Sequence, residues 1–455
     1  MKAGVRVDSV ALIVAGALFM QMLDATIIVT AIPAMAESFG VPPLSMGIGI
    51  TTYMLTVAIL IPAAGWLADR IGARSVFLWA IVIFTLGSVL CGVAQDLPQF
   101  IGARILQGVG GAFMVPVGQI IVLRLAERPQ LVRVLSLLSW PALFAPVVGP
   151  TIGGFITTYF SWRWTFLINI PLGAISLALS AWLIPDDGYR NKVPLDWLGL
   201  ILSSLGLGAL LSGLESMVHV GGHGAETAGL IVIGIVLCTL ATLHMARTAH
   251  PLLDLSIMRV KTFALSNLLA GSYYRIALNT MPFLLPLLFQ IGFGMTAFEA
   301  GSLMVAYFAG NLAVRVITTP VLERFGFRLA MVINGVLSAV AIGLCMLLTA
   351  DTPAILVVAL MVLGGATRSM QYTALNVLAF IDIGPEQRSS ASTLSTTLMQ
   401  ITILLGVVVG SLSLSLFQAL RGAASLDLVD FQLSFAALVV VTLISAVQMR
   451  HIPRA

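Results

Sequence analysis

Long apolar runs separated by short polar stretches make up most of this chain. Most runs have about 20 residues or more, the length that an α-helix needs to cross the hydrocarbon core of a bilayer. The runs are continuous rather than alternating, which excludes a transmembrane β-barrel. The pattern predicts an all-α membrane protein with fourteen transmembrane helices, at residues 9–32, 44–68, 75–95, 98–122, 134–158, 164–184, 197–217, 226–246, 263–289, 299–321, 329–350, 353–379, 391–418 and 431–449.

Basic residues between the runs predict the orientation of the chain. With the N-terminus placed in the cytoplasm, 17 of the 23 Lys and Arg residues fall in cytoplasmic segments, and only Arg163 and Arg421 fall in external ones. Short cytoplasmic loops of membrane proteins carry such an excess of Lys and Arg. We therefore expect a multi-pass protein with both termini in the cytoplasm.

Composition excludes several classes of protein. The 455 residues are 59% hydrophobic and only 9% charged, whereas an ordinary soluble domain is about 25% charged. A cytosolic enzyme, a nucleic-acid-binding protein and a disordered protein are thereby excluded, and membrane lipid is the expected surrounding partner. Because no nucleotide-binding or hydrolase motif occurs, we expect a protein that is not an enzyme and that holds no metal and no cofactor.

An internal repeat indicates two related halves. Residues 65–74 read GWLADRIGAR, and residues 319–328 read TPVLERFGFR, each a short charged turn between two apolar runs. The repeat predicts a 6+2+6 bundle in two pseudo-symmetric halves, with six helices in residues 1–190, two inserted helices in 191–255 and six in 256–455. Parallel halves of this kind place a substrate site between them, near the membrane midplane. Matching positions are Asp69, Arg70, Gly72 and Arg74, followed 254 positions later by Glu323, Arg324, Gly326 and Arg328.

Several segments resemble motifs of the major facilitator superfamily. The turn 65–74 resembles its loop motif, and LDATIIVTAIP at 23–33 resembles the first-span signature of its fourteen-span drug:proton antiporters, the EmrB/QacA type. RILQGVGG at 104–111 is similar to the fourth-span motif, GPTIGG at 149–154 to the fifth-span antiporter motif, and SWRWTFLINIP at 161–171 to the stretch that enters span 6. The resemblance covers the whole chain and is greatest for the MdtD-like members.

Two positions depart from these motifs. Family members often carry Asn where this chain has Val29, and Gly where it has Ala145. The missing Asn removes a polar group from span 1, so substrate preference transfers less directly than the fold. The resemblance implies a secondary active transporter of the bacterial inner membrane that exports small molecules in multidrug-type efflux, with protons as the coupling ion.

Asp24 is the candidate proton-coupling residue, and Arg104 is its candidate partner. A carboxylate at membrane depth costs about 2.5–3.5 kcal/mol on insertion scales, so such a residue is usually functional. The two side chains lie at similar depths, about 13 and 9 Å from the same membrane face at 1.5 Å per helical residue. The alternative is a permanent ion pair that joins spans 1 and 4.

Two groups of residues are candidates for gating. In the turn between spans 2 and 3, glycine permits a tight bend, and the acidic residue can pair with a neighbouring helix end. Alternatively, the basic residues of this turn only set the topology of the chain in the membrane. In span 5, glycines allow close helix contact and proline bends the helix, which would limit leakage or simply pack the bundle. The candidates are Asp69, Arg70, Gly72, Arg74, Gly149, Pro150, Gly153 and Gly154.

Polar residues recur every four positions on three spans of the C-terminal half. Spans 9, 10 and 12 each carry one such stripe, and each stripe holds an arginine without a matching intramembrane carboxylate. We expect the stripes to line an aqueous substrate cavity; the alternative for Arg315 is snorkelling to the interface. The cavity candidates are Arg275, Asn279, Asn311, Arg315, Arg368, Tyr372 and Asn376.

The substrate remains open between two classes. The resemblance implies drugs, whereas a cavity richer in arginine than in carboxylates repels lipophilic cations and favours anions. The alternative substrate is therefore an organic anion such as citrate or a metal–citrate complex. A non-transporting membrane sensor or a membrane-embedded enzyme is a remote alternative without a supporting motif. We expect a small-molecule substrate, no nucleic-acid partner and a monomer.

The charge pattern generates a topology prediction. A cytoplasmic reporter fused after Ala455 is expected to be active, because an even number of spans returns the chain to the side of its N-terminus. A periplasmic reporter fused at the same residue is the matched control and is expected to be inactive. The opposite result would contradict the even number of spans.

Overall fold

The computed structural model describes residues 7–126, 131–185, 188, 194–217, 224–248, 251–384, 387–423 and 425–452. Within these ranges the regular structure is helical and no strand occurs. The predicted boundary between residues 190 and 191 lies outside these ranges. Both chain ends, which the charge pattern places in the cytoplasm, lie outside them as well. The chain divides into two compact units, Met1–Ser204 and Leu205–Ala455.

The first unit contains nine complete helices and the start of a tenth among its described residues. They are α1 (Val7–Ile27), α2 (Ile32–Phe39), α3 (Gly47–Leu60), α4 (Ala64–Ile71), α5 (Ala73–Val93), α6 (Leu97–Leu125), α7 (Leu131–Tyr159), α8 (Trp164–Leu167), α9 (Asn169–Leu183) and α10 (Trp197–Ser216), which continues into the second unit.

The remaining helices of the described chain lie in the second unit. They are α11 (Gly224–Met245), α12 (Lys261–Asn267), α13 (Ala270–Leu287), α14 (Ala297–Ala313), α15 (Arg315–Cys345), α16 (Ala354–Phe380), α17 (Arg388–Leu420) and α18 (Leu428–Gln448). The division between units falls inside α10, and the three predicted domains stay a prediction.

Eleven helical segments of the described chain are long and apolar enough to cross a membrane. The predicted spans 197–217 and 226–246, which hold several glycines, are among them as Trp197–Leu214 and Ala225–Met245. The predicted spans 134–158, 263–289 and 299–321 coincide with helices outside that set, namely α7, α12 with α13, and α14. The protein is thus a multi-pass helical membrane protein, while fourteen spans in a 6+2+6 order stay a prediction.

Glycines bring the helices of the first unit into backbone contact. A Cβ atom at Gly87 of α5 would lie 2.6 Å from the Cα atom of Gln107 on α6, and one at Gly108 of α6 would lie 2.7 Å from the Thr56 Cβ atom on α3. Small residues at helix crossings allow this close approach in membranes. The contact brings the polar side chains of α5 and α6 within hydrogen-bonding distance of each other.

Both copies of the repeated turn depend on a glycine with positive φ. Gly72 ends α4 and precedes α5 with φ 109° and ψ 131°, and Gly326 interrupts α15 with φ 72° and ψ 157°. A side chain at either position would meet steric strain in its own backbone. The local conformation therefore repeats at the same 254-residue interval as the sequence.

The repeat extends into helix packing. In the first unit Tyr53 of α3 faces Gly111 of α6, and in the second unit Tyr307 of α14 faces Gly365 of α16. Each residue of the second pair lies 254 positions after its counterpart. Both tyrosines are buried. Gly111 makes room for the Tyr53 hydroxyl, whereas Gly365 makes room for the Tyr307 backbone carbonyl at the matching helix crossing.

The turn at Gly72 generates a stability prediction. Gly72→Ala is expected to destabilise the protein by about 1–3 kcal/mol, the usual cost of a residue in a sparsely populated backbone region. Thermal unfolding in detergent, followed by tryptophan fluorescence, measures the change. Gly65→Ala, in a helical position of α4 with open space around it, is the control and is expected to leave the melting temperature unchanged or raised. Equal melting temperatures for both variants would contradict the requirement for glycine.

Candidate functional site

Asp24 is buried in the first unit, one turn before α1 changes to a 3-10 helix at Ile28–Ala31. Its side chain forms an ion pair with Arg104 of α6, with 2.9 Å between Oδ2 and Nη1, and both side chains are at most 1% exposed. The pairing that the similar depths predict is therefore present. Its role in proton coupling stays a prediction.

The second carboxylate oxygen of Asp24 is held by two amides. Gln107 of α6 and Asn169, the first residue of α9, each donate a hydrogen bond from the amide nitrogen to Oδ1 at 2.8 Å. Both amides also donate to the Ser88 hydroxyl of α5, at 2.6 and 3.1 Å respectively. Asp24, Ser88, Arg104, Gln107 and Asn169 form one connected group, which we call the Asp24 network.

Arg104 has further partners on two helices. Its Nε donates to the Gly49 carbonyl of α3 at 3.1 Å, and its Nη1 donates to the Gln107 Oε1 at 2.6 Å. The guanidinium also lies 4.2 Å from the ring centroid of Tyr53. A buried charge is tolerated only when it is paired and hydrogen-bonded. These contacts keep the cation satisfied by groups other than the carboxylate.

Sequence reasoning did not assign Gln107, Asn169 and Ser88 to the site. For two of them the sequence contained a sign of a role in the site. Gln107 lies three residues after Arg104, on the same helix face, and both Gln107 and Asn169 fall within motifs that carry the family resemblance. For Ser88 there was no such sign, because a serine in an apolar helix usually bonds its own backbone.

The predicted turn at 69–74, between α4 and α5, is connected to two other helices of the first unit. Asp69 of α4 pairs with Arg124 near the end of α6, and Arg74 of α5 donates to the Ala181 carbonyl of α9 at 2.7 Å. Arg70 is exposed. Sequence reasoning treated Arg124 only as a topological charge, so the partner of Asp69 comes from the structure.

The span-5 glycines lie where α7 packs on α1. Gly149 faces the hydroxyl of Thr26, and Gly153 faces the carbonyl of Ile27, both within one turn after Asp24. The neighbouring candidates Pro150 and Gly154 are also buried. A larger residue at either contacting position would separate the two helices.

The second unit contains a similar glycine seam. Gly406 and Gly410 of α17, four residues apart as in α7, face Asn279, Thr280 and Phe283 of α13. Close glycine packing of α7 on α1 and of α17 on α13 is therefore common to both units, while a role in limiting leakage stays a prediction.

Five of the seven predicted cavity residues meet in the second unit. Arg275 donates to the Asn376 Oδ1 at 3.1 Å. Tyr372 and Arg368 donate to the Asn279 Oδ1 at 2.7 and 3.4 Å. None of the ion pairs between described residues includes Arg275 or Arg368. These five residues are called the arginine group below.

The remaining two predicted cavity residues, on α14 and at the start of α15, have no direct hydrogen bond to the arginine group in the described chain. They are Asn311 and Arg315, of which Arg315 is exposed. The group still has a neighbour on span 10, because the Arg368 guanidinium lies 6.0 Å from the ring centroid of Phe308 on α14. The expectation of three stripes around one cavity therefore stays a prediction.

The predicted stripe on span 9 also needs correction. The sequence predicts one continuous helix over 263–289, but α12 ends at Asn267 and α13 begins at Ala270. Side chains of α13 donate hydrogen bonds to backbone carbonyls at this break. Arg275 donates to the Ser266 carbonyl at 3.1 Å, and Ser272 donates to the Asn267 carbonyl at 2.6 Å. Arg275 also donates to the Asn267 side chain at 3.0 Å, so the two residues meet across the break.

The Asp24 network has no polar counterpart in the second unit. The residues 254 positions after Asp24, Ser88, Arg104 and Gln107 are Leu278, Ile342, Val358 and Met361. Three of these four apolar residues line a small cavity beside Tyr307. Among the described residues, only the first unit therefore holds an ion pair at this place in the fold.

A family model and several known proteins match most of this chain. The model of the Major Facilitator Superfamily matches residues 14–407 and 263–454. The chain is 37% identical over 412 residues to MdtD of Escherichia coli O6:H1 (strain CFT073), a protein that is named for multidrug resistance. The match covers 89% of this chain and 86% of that protein, and MdtD of Shigella flexneri serotype 5b matches equally well.

Solved transporters share the fold at low sequence identity. A D-xylose–proton symporter is 14% identical with a TM-score of 0.70, and the alignment covers 98% of both chains. The nucleoside transporter NupG is 13% identical with a TM-score of 0.62, covering 98% of this chain and 99% of that one. At these identities the likeness concerns the fold alone.

Proposed function

Because this chain belongs to the Major Facilitator Superfamily, we propose that it is a secondary active transporter that exports small molecules in exchange for protons. The family places it among transporters rather than enzymes. The multidrug resistance in the names of its MdtD relatives supports multidrug-type efflux as the substrate class. The proposed location is the bacterial inner membrane with both termini in the cytoplasm, and the proposed unit is a monomer that needs no cofactor besides the coupling proton.

The buried carboxylate of Asp24 is the observation that carries the proposal. An ionisable group at membrane depth is expensive and marks a proton or substrate pathway by default. When Asp24 takes up a proton, its attraction to Arg104 falls, while the cation keeps the Gly49 carbonyl, the Gln107 oxygen and the Tyr53 ring. Protonation therefore loosens the tie between α1 and α6 without leaving Arg104 unsatisfied.

The turn between α4 and α5 is the proposed gate of the first unit. Asp69 and Arg74 connect it to α6 and α9, so a movement of these helices must break or exchange those bonds. Partly exposed bonds of this kind are weak and reversible, as a gate requires. The glycines of α7 that pack on α1 are proposed to keep the helix contact closed to water.

The alternative of an organic anion keeps one supporting observation. Arg275 is fully buried, and within the described chain its charge is met by neutral groups, namely Asn267, Asn376, the Ser266 carbonyl and the ring of Tyr372. A carboxylate would suit this guanidinium through paired hydrogen bonds. The names of the relatives do not favour this alternative, so multidrug-type efflux is the leading proposal.

Proton coupling is tested with Asp24→Asn in proteoliposomes. The variant is expected to fold and to lose transport driven by a pH gradient, because its amide cannot exchange a proton. Glu37→Gln, which removes an exposed carboxylate at the end of α2, is the matched control and is expected to transport at the wild-type rate. Wild-type transport with normal pH dependence in Asp24→Asn would contradict Asp24 as the proton carrier.

Substrate charge is tested with Arg275 in inside-out vesicles. If the substrate carries an acidic group, Arg275→Lys impairs and Arg275→Ala abolishes uptake of a labelled tricarboxylate, because lysine does not reproduce the guanidinium fork. Arg324→Ala, at an exposed position, is the control. Uptake of a lipophilic cation that survives Arg275→Ala, without tricarboxylate uptake by the wild type, would remove the anion alternative and leave multidrug efflux.

A further inference from the structure

The hydrogen bonds of the Asp24 network fit one charge state of the carboxylate. Arg104, Gln107 and Asn169 all donate to Asp24, and an ionised carboxylate can only accept hydrogen bonds. A protonated carboxyl group has one O–H that must itself find an acceptor. The described network therefore belongs to ionised Asp24, and the protonated state requires a different arrangement of at least one neighbour.

Two of the three donors offer no acceptor for that proton. A guanidinium has no acceptor atom, which excludes Arg104. The Gln107 Oε1 already accepts from Arg104 at 2.6 Å and from the Cys91 thiol at 3.7 Å. Turning the Gln107 amide over would remove both of those bonds at once.

Asn169 differs from the other two donors. Its side chain is fully buried, yet its Oδ1 has no hydrogen-bond partner in the described structure. An unsatisfied buried acceptor costs about 1–3 kcal/mol, and in native proteins such an atom requires an explanation. Here the unsatisfied oxygen belongs to a side chain that already contacts the titrating group.

We propose that Asn169 is the positioning residue that receives the hydrogen bond of protonated Asp24, an inference that rests on the proposed proton coupling. On protonation of Oδ1 the Asn169 amide turns over, and its oxygen takes the place of the nitrogen 2.8 Å from Asp24. The proton comes from the aqueous phase, so one O–H bond forms on Asp24 while one O–H bond of a hydronium ion breaks, and no other covalent bond changes. The same residue thus stabilises the ionised state as a donor and the protonated state as an acceptor.

Ser88 can form a hydrogen bond with the Asn169 amide in both of its orientations. Its hydroxyl oxygen accepts from Asn169 at 3.1 Å in the ionised state. After the amide turns over, the freely rotating hydroxyl donates to the Asn169 oxygen instead. The serine therefore matches either orientation of the amide without movement of a helix.

The titratable and charged groups around Asp24 allow this role. Arg104 faces it from α6, Tyr53 lies on α3 against Arg104, and Cys91 lies on α5 against Gln107. From α9 the contact between described residues is that of Asn169, which is neutral in both orientations. Since α9 begins at this residue, the orientation of one amide links the proton on α1 to the start of α9.

The matched pair Asn169→Leu and Gln107→Met tests the inference by the pH of half-maximal transport. Gln107→Met loses a donor whose hydrogen bond is stronger to ionised than to protonated Asp24, so protonation becomes easier and the midpoint is expected to rise by about one pH unit. Asn169→Leu loses a bond in both states, so its midpoint is expected to move less than half as far. An equal rise in both variants would show that Asn169 acts only as a donor and would overturn the proposal.

Infrared difference spectra of the reconstituted protein between high and low pH give a second readout, and its first comparison uses the wild-type protein alone. We expect a carboxylic acid band from Asp24 together with a side-chain amide C=O band that shifts when asparagine is labelled with ¹³C. Asn169→Leu should remove that amide band, and Gln107→Met should retain it. A carboxylic acid band without a label-sensitive amide band would overturn the Asn169 inference alone, whereas absence of the carboxylic acid band would overturn the proposed proton coupling itself.

Discussion

The ion pair of Asp24 and Arg104 is the constraint on which the first unit depends. Two opposite charges without water must be paired and must have their remaining hydrogen-bonding atoms satisfied. Side chains and carbonyls from α1, α3, α5, α6 and α9 meet this demand around one carboxylate. Five helices are thereby held at fixed distances from one another, and a change in the charge of Asp24 affects all of them.

Glycine makes this concentration of polar groups possible. The contact of Gly87 with the backbone of Gln107 brings α5 and α6 together at the depth of the network, and Gly149 and Gly153 bring α7 onto α1 just beyond it. Apolar helices in lipid gain little from burial alone, so close packing must supply their association. The glycine contacts and the ion pair thus depend on each other, because only closely spaced helices can satisfy a buried charge.

Features set by local sequence or by helix geometry could be predicted. The similar depths of Asp24 and Arg104 predict their contact, and the repeated turn predicts the tight bends at Gly72 and Gly326. Features set by tertiary contacts could not. The break between Asn267 and Ala270 follows no local signal, since side chains from the next helix satisfy its carbonyls. Asn169 and Ser88 join the network only because α9 packs on α1 and α5 packs on both α6 and α9.

In the second unit, apolar residues occupy the positions that correspond to the Asp24 network of the first unit. This difference has an electrical consequence. Under the proposed coupling, the described membrane helices offer one exchangeable proton at this position rather than two. Exchange of one proton for one monovalent cation moves no net charge. Export of such a cation would then draw on the pH gradient and be insensitive to membrane voltage, whereas export of a neutral molecule or an anion would respond to both.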